Sequence, residues 1–181
     1  DFAGATQTAA QLRDWIVERN GAAVGAHFGV HMFQINRELG RVGAVGDLVT
    51  GQEPVSGCWA PALLALYTEL RLARPARRLL DALADEATLR RNRRTEYMPA
   101  VLAYLVEAAL FLDDPATLRR LRPHVSEQRG LNLVSDQFVA LSGAADRYLG
   151  MIDAALGDAD PIPSFDVAAD LAQRCGFAVD L

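Results

Sequence analysis

The sequence predicts an all-α fold, an α-solenoid of stacked helical hairpins, and three observations carry that expectation. Apolar residues recur at spacings of three and four along most of the chain, the period of one helix face, and almost nowhere alternate as they do in a half-buried strand. Turn-forming residues fall where those stripes stop, as Gly21, Gly40, Pro75, Pro115 and Gly157 do. One punctuation mark also repeats: Glu38-Leu39-Gly40-Arg41, Glu69-Leu70-Arg71, Phe111-Leu112-Asp113 and Ala155-Leu156-Gly157-Asp158. Its leucines stand 31, 42 and 44 residues apart, so the repeats are degenerate rather than strictly periodic.

Taken in order, a first helix is expected over Ala5 to Asn20 with Leu12, Trp15 and Ile16 inward, ended by Gly21. A second runs from Ala22 to Leu39, with Val24, Phe28, Met32 and Ile35 on one face. A short helix holding Val42, Val45, Leu48 and Val49 follows. Trp59, Leu63, Leu66, Tyr67 and Leu70 stripe the next helix. Its partner starts near Pro75 and is lined by Leu79, Leu80 and Leu83. After the polar joint of Arg90, Arg91, Asn92, Arg93 and Arg94, Thr95 is read as the cap of a long helix reaching Leu112. Asp114-Pro115 opens a helix expected to run to about Arg122, where Pro123 weakens it. Helix resumes over Ala144 to Leu156 and again over Phe165 to Arg174, and no strand is expected anywhere.

The domain reading is therefore one helical-repeat domain over 1–181. It assigns 1–20 to the helix of a preceding repeat, 22–53, 57–86, 95–126 and 144–175 to helical pairs, and 127–143 to an irregular insertion. The start at Asp1 without methionine, and the amphipathic stretch at Leu181, read as a fragment of a longer protein.

Composition narrows the function classes. The chain is 51% hydrophobic and 23% charged, enough apolar residue for a continuous core. Its net charge of −5 argues against general affinity for nucleic acid or an anionic membrane. All 18 basic residues are arginine. Tyr97 to Leu112 is the most apolar window, but it is too short to span a bilayer and Glu107 interrupts it, so it reads as buried helix. Cys58 and Cys175 lack a CxxC spacing and read as two packed, reduced thiols of a cytoplasmic chain.

In this register the second and fourth units resemble the tetratricopeptide repeat, a right-handed superhelix of helical hairpins. Tyr67 stands three residues before Leu70, and Leu149-Gly150 stands seven before Leu156-Gly157, where glycine lets neighbouring helices approach. A narrower resemblance lies in Leu121 to Gly157. There Leu121, Pro123, Gly143, Asp146, Arg147, Tyr148, Leu149, Gly150, Leu156 and Gly157 are similar to a segment of large bacterial signal-transducing ATPase regulators. The likeness extends over about 22–175, with Asp146 to Gly150 its specific block. It departs where His124 replaces a tyrosine, where the helix after Asp114 is about a turn short, and where Asp153 replaces a small residue. The resemblance implies a regulatory arm that receives a protein partner, a neighbouring domain of the same chain or a small effector. In such proteins the ATPase is joined to a LuxR-type DNA-binding domain or, alternatively, to a class III adenylate or guanylate cyclase. ATP and DNA binding belong there to the parent protein, and no GxxxxGK[ST] loop occurs in this chain.

Candidate sites are few. In a tetratricopeptide-like array the first helix of each pair lines a groove, and this register places Arg37, Glu38, Thr68, Glu69 and Glu107 there. Three glutamates favour a basic or polar partner segment. His27 and His31 have the i, i+4 spacing of metal ligands but no third ligand nearby, so no metal is assigned. Ser56, Ser126, Ser135, Ser142 and Ser164 show no recognisable base arrangement. The pairs Asp113/Asp114 and Asp158/Asp160 read as helix caps rather than acid–base carboxylates. The run 90–94 lacks interleaved aromatics for stacking on single strands and reads as a solvated inter-repeat loop. The expectation is a non-catalytic binding module without cofactor. A small helical enzyme domain using His27/His31 or Asp113/Asp114 is the alternative from another class.

Overall fold

The computed structural model describes residues 1–20, 25–43, 59–95, 97–135 and 140–176. They form helices α1 (Phe2–Asn20), α2 (Gly25–Glu38), α3 (Trp59–Glu69), α4 (Ala73–Leu83), α5 (Glu86–Asn92), α6 (Met98–Phe111) and α7 (Pro115–Ser126). Strands β1 (Asn132–Ser135) and β2 (Ala140–Ala144) follow, then α8 (Ala145–Leu156) and α9 (Ile162–Cys175). The described chain is thus mostly helical, as its periodicity predicts. It divides into two compact units, Asp1–Trp59 and Ala60–Leu181.

In the first unit α1 packs on α2. The expected inward face of α1 is corrected: Leu12 is 42% exposed and Trp15 is 53% exposed, whereas Ala9 is buried. Among the described residues α2 is the helix packed on α1, and the stripe it covers includes the small Ala9 side chain. Arg19 lies over the Trp15 ring at 4.4 Å, and Arg13 reaches Phe28 of α2 at 4.8 Å. Phe33 is the buried centre of α2, with Phe28, Met32 and Ile35 half-buried. The predicted helix over Val42 to Val49 lies outside the described residues beyond residue 43, as do Gly21 and Val24.

The second unit is organised by α6. Ten of its residues are buried, including Ala103, Leu105, Val106, Ala108 and Ala109. An all-round apolar helix must be covered on every side. It packs against α4, α7, α8 and the β-hairpin. Leu64 of α3, Leu80 of α4, Leu118, Leu121 and Val125 of α7, Leu133 of β1, and Tyr148, Leu149 and Ile152 of α8 complete this core. On α3 the buried centre is Leu64 to Leu66 rather than Leu63 and Leu70.

The repeated punctuation mark is one physical turn. Gly40, Arg71, Asp113 and Gly157 all adopt left-handed conformations, with φ of 66°, 58°, 50° and 65°. At the first three, the following residue donates back to the helix over distances of 2.7–2.9 Å (Arg41 to Asn36, Leu72 to Tyr67, Asp114 to Ala109). The left-handed residue itself donates to Arg37, Thr68 or Leu110, completing the Schellman pattern. Gly157 closes α8 by the simpler single bond to Asp153.

Several expected boundaries move. Asp85 caps α5 by accepting from the Thr88 amide, so Arg90 and Arg91 lie in a short helix rather than a loop. Thr95 is not a side-chain cap; its hydroxyl donates to the Asn92 carbonyl, and α6 starts at Met98. Helix α7 continues through Pro123 to Ser126, about one turn beyond its expected end at Arg122. The expectation of no strand is also overturned, because 132–135 and 140–144 pair antiparallel. Gly143, at φ 93°, sits in the bulge that interrupts this register. Leu133 is fully buried between the half-buried Asn132 and Val134, the alternation of a strand laid over α6.

Helices α8 and α9 meet at Gly150, where a Cβ would stand 2.6–2.8 Å from the Phe165 ring. The expected close approach at this glycine is therefore present. Two measurements test these backbone assignments. Gly157→Ala should lower stability by about 1 kcal/mol, while Asp113→Gly should raise it by up to about 1 kcal/mol, because only glycine adopts positive φ freely. Equal effects in urea titrations would contradict shared left-handed caps. Gly150→Ala should cost about 1–2 kcal/mol alone yet become neutral or stabilising on a Phe165→Ala background, since helix propensity then favours alanine. Additive effects would show that the ring is not the obstacle.

Candidate functional site

The groove residues fall in both units. Arg37 is half-buried and Glu38 exposed on α2, in the first unit. Thr68 and Glu69 end α3, and Glu107 lies on α6, all half-buried in the second unit. The Thr68 hydroxyl donates to the Leu64 carbonyl of its own helix, which occupies its donor locally.

Glu107 is the one charged residue of α6, and the fold gives it a polar neighbourhood that sequence reasoning missed. The Tyr148 hydroxyl of α8 lies 2.6 Å from the Ser142 carbonyl and 3.2 Å from Glu107 Oε1. It has one proton, so the shorter contact takes most of it and the carboxylate shares it. The Gly143 bulge follows Ser142 directly, so α6, α8 and the hairpin converge on one phenol. The Ser142 hydroxyl is buried and has no hydrogen-bond partner among the described residues.

The same segment explains the Asp146 to Gly150 block. Asp146 is 1% exposed in the first turn of α8, accepts from the Gly130 amide at 2.6 Å and faces Arg129 at 3.3 Å. A buried carboxylate needs such donors, and the helix start adds favourable field. Asp146 thereby fastens the loop before β1 to α8. Asp153 is likewise buried, against Arg122 of α7, through two hydrogen bonds of 2.7 and 3.2 Å. The buried charge has its counter-charge beside it, and that fork of hydrogen bonds raises the Arg122 pKa against the opposing effect of burial.

Other candidates resolve into structural contacts. Asp114 caps α7 through the Thr117 amide and hydroxyl, as expected, and also binds Arg77 of α4. Asp113 holds the left-handed turn instead of capping. Asp160 accepts from the Ile162 amide, but Asp158 pairs with Arg119 at 3.4 Å rather than capping a helix. Three arginines of the joint are engaged: Arg90 with Glu86, Arg91 with the Thr88 hydroxyl, and Arg93 with Glu127 through both carboxylate oxygens. Those partners lie within the same helix or at the end of α7, so only part of the run reads as solvated loop.

His31 is half-buried on α2, and the His27 side chain lies outside the described residues, as do Ser56 and Cys58. Cys175 is exposed rather than packed because it ends α9, and Asn132 donates to its sulfur at 3.7 Å. Ser164 is buried and Ser126 half-buried; the Ser135 side chain is outside the described set. Among the described residues, no group of three or more histidine, cysteine or acidic side chains is placed to hold a metal ion. No described helix is long and apolar enough to cross a membrane.

Asp114 supplies a pH test. Partial burial opposes its ionisation, but the Thr117 amide and hydroxyl and the Arg77 guanidinium outweigh it and hold the carboxyl below its ordinary range. A depressed folded-state pKa stabilises the fold above the unfolded value near pH 4, and that stability is lost as pH falls through the folded value. Asp114→Asn should therefore cost about 1–2 kcal/mol at pH 7, and the deficit should shrink toward zero in acid. A deficit unchanged between pH 7 and pH 3 in urea titrations would show that the charge is not involved.

Compared with protein-family models, with curated proteins and with solved structures, the chain returns no match.

Proposed function

We propose that this chain is a non-catalytic protein-binding module of tetratricopeptide-like hairpins, and that it serves as the partner-sensing arm of a bacterial ATPase-linked transcriptional regulator of the LuxR type. The observation that carries the repeat reading is the recurrence of one left-handed turn after α2, α3, α6 and α8. The packing order in the second unit supports it. There α4 meets α6, α6 meets α7, α7 meets α8 and α8 meets α9, while α6 also touches α8, the first helices of successive pairs. A solenoid stacks its elements in this way, each pair burying its face on the next. The regulator assignment rests on the Asp146 to Gly150 block and its resemblance.

In this reading the first helices α3 and α6 present Glu69 and Glu107 to a basic segment of a partner protein or neighbouring domain. Electrostatic complementarity would set the choice of partner more than its affinity. The test uses arginine- and lysine-rich fluorescent peptides titrated with the intact chain. Basic peptides should bind and acidic ones should not. The Glu69→Gln/Glu107→Gln variant should weaken binding about tenfold, since two partly screened charge pairs sum to roughly 1–2 kcal/mol. Glutamine keeps an acceptor for Tyr148, so helicity should persist. Unaltered binding by that variant would exclude this groove.

A further inference from the structure

Four arginines occupy the eight residues from Arg71 to Arg78, with no acidic residue among them, in a chain of net charge −5. Arg71 lies over the Phe111 ring at 5.3 Å. The other three line an open cleft of about 620 Å³ together with Ala73 and Leu112. Arg74, Arg77 and Arg78 have the i, i+3 and i+4 spacing that puts side chains on one helix face.

Their states differ. Arg77 is held in place by Asp114 and by the Leu112 carbonyl, which accepts at 3.1 Å. Arg74 and Arg78 are exposed and form no ion pair among the described residues. The residue before α4 is Leu72, which has no side-chain acceptor for the first amides of that helix. The helix therefore adds its own partial positive charge beside the guanidinium groups. By contrast, Arg90 and Arg93, in the run that looks most basic in the sequence, face Glu86 and Glu127.

We propose that this cleft binds a small phosphate-bearing molecule, with Arg74 and Arg78 gripping the phosphoryl oxygens beside the fixed Arg77. Guanidinium forks match phosphate oxygens in pairs, which a point charge does not. Ala73 and Leu112 offer only a small apolar floor, so charge rather than burial carries recognition. The cleft volume lies within the range of about 300–1,000 Å³ that small ligands occupy. The site is separate from the glutamates of α3 and α6, so its failure would leave the peptide-binding reading intact.

The probe is inorganic pyrophosphate, titrated into the intact chain by calorimetry and thermal shift at constant ionic strength. Saturable binding and a rise in melting temperature are expected, with an adenine nucleotide diphosphate competing for the same site. Arg74→Ala/Arg78→Ala should weaken pyrophosphate about tenfold or more, because both side chains are exposed and leave the core untouched. Arg90→Ala/Arg94→Ala, of equal charge change, should leave affinity unaltered. Binding that does not saturate, or that falls equally in both double variants, would overturn the assignment. So would capture of a glutamate-rich peptide that pyrophosphate cannot displace.

Discussion

Helix α6 cannot be left exposed, and the second unit is arranged around that constraint. Its apolar residues point in every direction, so no single partner helix suffices to remove them from water. Helices α4, α7 and α8 cover three directions, and the hairpin fills another with Leu133. A two-stranded ribbon of this length is marginal by itself in water. Here it persists as a lid on α6 and is fastened at one end by Asp146 and at its bulge by Tyr148.

The polar contacts with long sequence separation share one purpose, which is to fix elements that the core alone would let slide. Arg77 ties α4 to the turn between α6 and α7 through Asp114 and the Leu112 carbonyl. Arg120 of α7 donates to the Ala84 carbonyl just after α4. Arg122 and Asp153 lock α7 to α8, the pair being a buried carboxylate with an arginine fork. Hydrophobic burial is non-directional, so it supplies cohesion without register; directional hydrogen bonds at the ends of helices supply the register.

What the sequence revealed follows from the range of the forces involved. The buried character of α6 was legible because a run from Tyr97 to Leu112 holds one charge. The left-handed turns were legible at Gly40 and Gly157 through glycine; at Arg71 and Asp113 the shared leucine marked only a helix end, and Asp113 read as a cap. The hairpin was not legible, because its strands are short and their stability comes from covering α6. The face of α1 was misjudged because Leu12 and Trp15 have helical spacing, yet spacing alone does not say which side a partner covers. In the candidate site, Glu107 stood out as a lone charge on an apolar helix. Its neighbours Tyr148 and Ser142 lie 41 and 35 residues away, and only tertiary structure brings α6, α8 and the bulge together.

The arginines show how far short-range chemistry can be pushed. The run 90–94 has Glu86 one helical turn before Arg90, so its first guanidinium is satisfied within its own helix. The stretch 71–78 contains no carboxylate; Asp81, one turn beyond Arg77, reaches it only at 4.0 Å, and Arg74 and Arg78 form no ion pair among the described residues. Density of positive charge along the sequence is therefore a weaker guide to an open electrostatic surface than which guanidinium groups the fold pairs. By that measure the beginning of α4, more than the joint before α6, presents unpaired cationic side chains outward among the described residues.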